Sequence, residues 1–114
     1  MDQPTLFESE SENAKIEEVL LYALGDFQSR GLVLAERELP LDRLLGAFKR
    51  AAEHFQIEDL SDEQLAENLE RLGAKINKLP SFVAKHPFRV TVSQNLAEQS
   101  KSFFEENLSE AKSN

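Results

Sequence analysis

From residue 41 to residue 55 the apolar side chains fall at Leu41, Leu44, Leu45, Phe48, Ala51, Ala52 and Phe55. That spacing places all of them on one stripe of a 3.6-residue helix, and such a stripe has to be buried against another element. Pro40 is placed to open this helix, since its ring presets φ and its missing N–H is no loss in a first turn. A second stripe of Ile16, Val19, Leu20, Ala23, Leu24 and Phe27 predicts a helix over residues 14–29, with Gly31 where a left-handed cap belongs. Ser61 and Gln64 fit a Ser-x-x-Gln capping box, and Leu60 and Leu65 fit the accompanying hydrophobic staple. They announce a third helix whose inner face is Leu65, Leu69 and Leu72 and whose stop is Gly73.

After Gly73 the period changes. Phe88, Val90 and Val92 alternate with Arg89 and Thr91, the pattern of a half-buried strand. Residues 74–79 predict a weaker partner strand with Ile76 inward, limited by Lys78-Leu79, where alternation fails, and by Pro80. The short apolar run 32–35 reads as a strand or a buried connection. A last helix is expected from about Asn95, with Asn95 and Glu98 spaced as a capping pair and Leu96, Ser100, Phe103, Phe104 and Leu108 on one face. The chain therefore reads as mainly α with a small β-hairpin. Residues 1–13, with four acids and no base in the first dozen, predict a mobile acidic arm; residues 14–108 form the domain, and 109–114 a flexible tail.

Helix, short apolar segment, helix, turn, helix, strand, loop, strand: this order, with the Leu72-Gly73-Ala74 exit into the hairpin, resembles a winged helix-turn-helix domain followed by one extra helix. The resemblance is one of fold and points to no specific family. It implies a third helix that enters the DNA major groove and a hairpin that touches the neighbouring backbone. The exposed positions expected on the third helix, however, are Asp62, Glu63, Glu67, Asn68 and Glu70, and carboxylates repel phosphates.

The hairpin has the opposite charge. Residues 71–92 hold five bases (Arg71, Lys75, Lys78, Lys85, Arg89), His86 and no acid. The net charge is −8, so the rest of the chain, with eight bases and all twenty-one acids, carries −13. Arg71, Lys75, Lys78, Lys85, His86 and Arg89 are the candidate nucleic-acid contacts, holding phosphates by charge and hydrogen bonds. Lys and Arg on a sheet edge equally serve to keep it soluble and unpaired.

Two further segments are candidates for partner binding. Gln3-Pro4-Thr5-Leu6-Phe7 is similar to the Gln-x-x-Leu-Phe peptide by which bacterial replication and repair proteins dock into the sliding clamp. The resemblance implies that Leu6 and Phe7 fill an apolar pocket while Gln3 bonds at its rim; alternatively both fold back on the domain. Phe103, Phe104 and Leu108 exceed what a small core needs and suggest a homodimer through the last helix.

Other chemistry finds little support. The absence of cysteine removes disulfides, thiolate nucleophiles and cysteine metal sites. His54 has Glu53, Glu58 and Asp59 near it in sequence, but two histidines without ordered spacing read as structural, so no metal or cofactor is expected. The four glycines are dispersed and form no phosphate loop. Met1-Asp2 lacks a basic n-region and no apolar run approaches a membrane span, which suggests an intracellular, cytoplasmic protein. The expectation is a non-catalytic winged-helix interaction module, regulatory or accessory in a DNA-associated assembly. Its wing would make weak, sequence-independent phosphate contacts, and its arm or acidic helices would meet a protein. The alternative is a protein–protein adaptor or homodimer with no nucleic-acid role.

Overall fold

The computed structural model describes residues 3–80 and 88–113, and of residues 3–14 and 109–113 the backbone alone. The chain is mainly helical with a small antiparallel sheet, in the order α1 (Gln3–Ser29), β1 (Glu38–Pro40), a 3₁₀ turn (Leu41–Arg43), α2 (Leu45–Phe55), α3 (Asp62–Leu72), β2 (Lys75–Lys78), β3 (Phe88–Thr91) and α4 (Gln94–Ser113). No helix among the described residues is long and apolar enough to cross a membrane.

Helical periodicity and strand alternation converge on one core. Val19, Leu20, Leu24, Leu44, Leu69 and Val90 are almost wholly buried, and Phe48, Leu65 and Val92 belong to the same cluster. Phe55 packs against it from a half-buried position. The core lies between α1, α2, α3 and the inner face of the sheet. α4 closes it from the far side of α1, where Gly25 meets Phe104: a Cβ on Gly25 would overlap Phe104 Cβ and the Ser100 carbonyl oxygen. Gln28 then ties the two helices, its side-chain amide donating to Ala97 O at 2.8 Å and to Ser100 Oγ at 3.3 Å.

The local signals act as the side chains require. Ser61 Oγ accepts from Gln64 N at 3.2 Å while Gln64 Oε1 accepts from Ser61 N at 2.9 Å, so the capping box is complete. Gly73 ends α3 with φ at 110°, the left-handed region that favours glycine. Other boundaries differ from the sequence reading. α1 begins at Gln3 rather than near Ala14, so the backbone expected to be a mobile arm is helical from residue 3. Pro40 opens a 3₁₀ turn, and the α-helix proper starts only at Leu45. α4 is capped by Ser93, whose Oγ accepts from Leu96 N at 3.2 Å, and not by Asn95.

The sheet has a third strand, in the order β1-β3-β2. It comes from Glu38–Pro40 and not from the apolar run 32–35, of which only Leu34 is buried and only Ala35 bridges to Val92. Leu32 and Val33 are exposed. A three-residue strand with one inward side chain, Leu39, carries too little pattern to be legible; β3 dictates its pairing.

Candidate nucleic-acid interface

The register of the hairpin decides which basic side chains stand together. Lys75 pairs with Thr91, Ile76 with Val90, Asn77 with Arg89 and Lys78 with Phe88. Directly paired residues of an antiparallel ladder share a face, and successive residues alternate. Val90 is buried and Ile76 packs against the core, so their face is the inner one. Lys75, Asn77, Arg89 and Thr91 therefore share the outer face, with Lys75 and Arg89 as diagonal neighbours. β1 extends that face through Glu38, which pairs with Thr91.

The six candidate residues divide. Lys75 and Arg89 stand on the outer face, and neither forms an ion pair with the described residues. Lys78 belongs by parity to the other face, where it is exposed at the edge with Nζ 5.5 Å from the centre of the Phe88 ring, a cation–π contact. Arg71 lies at the end of α3 and reaches Glu67 Oε1 at 3.3 Å, so part of its charge is already answered. Lys85 and His86 fall outside the described residues.

Three residues on this face were not among the candidate contacts read from the sequence. Asn77 was legible in principle, because alternation about Ile76 sets it beside Lys75. Thr91 is half-buried between the two flanking strands. Glu38 gave no signal without β1, and its Oε2 accepts from Asn77 Nδ2 at 3.1 Å across the sheet. Among the described residues the outer face of the three strands thus holds two cations and one carboxylate, a weaker positive field than the hairpin composition implies. Arg43 is exposed on the 3₁₀ turn that follows β1 and packs beside β3.

α3 keeps its acidic character. Glu63, Glu67 and Glu70 are exposed, as expected. Asn68 is a correction: it is buried, and its amide donates to Gln64 O at 2.7 Å, so it does not face outward; Gln64, the other α3 side chain of a type suited to adenine, is exposed but gives its Oε1 to the Ser61 N–H.

The candidate partner residues also separate. The backbone of Gln3, Leu6 and Phe7 lies in the first turns of α1. Phe104 is buried between α4 and α1 and cannot anchor a partner, while Phe103 is half-buried against the core and Leu108 is exposed. α4 turns Phe104 onto α1 because Gly25 lets the two backbones approach. His54 stacks on Tyr22 with ring centres 4.4 Å apart, and no cluster of three metal-ligating side chains exists among the described residues. No protein-family model matches the chain, and neither does any of the curated proteins or solved structures compared with it.

Proposed function

We propose that the chain is a non-catalytic interaction module of the winged-helix kind, which touches nucleic-acid phosphates weakly and without sequence preference. The observation that carries this reading is the diagonal juxtaposition of Lys75 and Arg89 on the outer face of the hairpin, with Asn77 and Thr91 as neutral hydrogen-bonding neighbours. Supporting it is the order of α2, α3 and the β2–β3 hairpin, the element order on which the winged resemblance rests. The acidic outer face of α3 argues against base readout, so the contact is to the backbone, where affinity comes from counterion release.

Two to three phosphates neutralised by such a face give a log–log salt slope of about −2 to −3, at about −0.9 per contact. The test is titration of a labelled duplex at low and at physiological salt. Lys75→Glu with Arg89→Glu abolishes binding, and Glu38→Gln strengthens it by removing the carboxylate from the same face. Glu63→Lys with Glu67→Lys strengthens it as well. A duplex that fails to bind at low salt, or binds unchanged in the Lys75→Glu, Arg89→Glu variant, overturns the reading in favour of a protein adaptor.

A further inference from the structure

Away from the sheet, α2 and the connection that leads to α3 leave a cavity of about 160 Å³ over the core. Its floor is Val19, Phe48, Ala52 and Leu65, and Leu45 and Leu60 stand half-buried at its mouth. A wholly apolar cavity of about 150 Å³ is large enough to hold benzene, so this one has room for a single ring or branched aliphatic side chain. Beyond Leu60 it adjoins a wider cleft of about 370 Å³, where Ile16 and Ile57 supply a second apolar surface. Leu60 lines both, which makes one groove with two apolar stations. A single small ring fills only one of them; a chain segment with two apolar side chains fills both.

Charge at the rim selects among such segments. Asp59 and Asp62 line the narrow cavity against Lys49 alone, and Glu58 and Lys15 line the cleft. Glu58, Asp59 and Asp62 all belong to the stretch that runs from the end of α2 into α3, so one segment of chain supplies the acidic wall of both cavity and cleft. We propose that this groove docks a short amphipathic helix of a partner protein, with an aromatic or leucine side chain in the cavity, a second apolar side chain in the cleft, and basic residues along the acidic wall. This is the helix-in-groove mode, in which apolar anchors one turn apart supply affinity and flanking charges set orientation. It uses none of the residues assigned to phosphate contact, so either proposal stands or falls without the other.

The test uses the 114-residue chain and three acetylated, amidated helical peptides. The first carries Phe and Leu four residues apart on an Ala/Lys background, the second the same pair on Ala/Glu, and the third Ala in place of both anchors on Ala/Lys. Amide chemical shifts at Phe48, Leu60 and Leu65 report occupancy of the groove. The Lys peptide moves these resonances, and the other two bind at least about tenfold more weakly, a difference of about 1.4 kcal/mol. Ala52→Leu fills the cavity from within and abolishes the shifts. Asp59→Asn with Asp62→Asn, both on the rim, narrows the gap between the Lys and Glu peptides and serves as the decisive variant if Ala52→Leu does not fold. Absence of shifts with the Lys peptide, equal binding of the Glu peptide, or binding that survives loss of both anchors overturns the proposal.

Discussion

Tyr22 is the single tyrosine of a chain without tryptophan, and it stands in a small ring cluster. His54 stacks on it at 4.4 Å, and Phe55 and Phe104 present their edges at 5.6 Å and 4.8 Å. Burial pushes the phenol pKa above its ordinary 10.0, and the Asp26 carboxylate one turn along α1 adds to the effect. Asp26 is itself nearly buried; Arg50 donates to its Oδ2 through Nε at 2.8 Å and Nη2 at 2.6 Å, and Arg30 approaches at 3.5 Å. The consequence for stability has a definite sign. The unfolded phenol ionises at about 10 while the folded one still holds its proton, so the contribution is complete below pH 10 and is lost as pH rises through the folded value. Absorbance titration of tyrosinate, free of any other tyrosine or tryptophan, is expected to give a midpoint above 10.0. Asp26→Asn is expected to lower that midpoint without bringing it below the ordinary value, because burial remains. A wild-type midpoint at or below 10.0 contradicts the account. The stripe containing Val19 and Leu20 was legible in sequence, but the Tyr22–His54 rung and the Asp26–Arg50 rung were not, because each depends on the register between two helices.

Among the elements, the pairing of α1 with α4 is the most exacting. A methyl group on Gly25 collides with backbone as well as side chain, so no rotamer change relieves it and the helices have to separate. Gly25→Ala is therefore expected to cost about 3 kcal/mol in urea unfolding. Ser61→Ala, which removes one half of the capping box, is expected to cost about 1 kcal/mol. A Gly25→Ala loss no larger than that of Ser61→Ala would show that α4 docks loosely. These two residues also mark how far element boundaries can be read from a chain. Ser61 and Gly73 act through their own backbone and were legible. α2 instead is capped by Gln56 in the left-handed region with φ at 58°, and α4 starts at Gln94 after the Ser93 cap, with Glu36 Oε2 accepting from Gln94 N at 3.0 Å. Nothing in local sequence marks Gln56, and the Glu36 contact joins residues far apart in the chain.

For the molecule as a whole, the fate of Phe104 bears on assembly. A dimer through α4 needs an exposed aromatic face, and α1 already covers Phe104. Sedimentation of the chain at micromolar concentration is expected to give the monomer mass; a dimer that Leu108→Lys dissociates would show that the remaining face of α4 suffices. The two proposed surfaces show the same division between local and distant information. Periodicity of 3.6 and of 2 determined that α2, α3, β3 and most of α1 exist and which of their faces turn inward, because burial of an apolar stripe is a demand each element makes on its own. Composition likewise determined that the hairpin is basic and α3 acidic. Which bases stand together was decided only by strand register, which set Lys75 beside Arg89, sent Lys78 to the ring of Phe88 and brought Glu38 onto the same face from a strand too short to announce itself. The groove beneath Leu60 belongs wholly to tertiary structure, since a cavity is the space that three packed elements fail to fill, and no single stretch of sequence encodes a space.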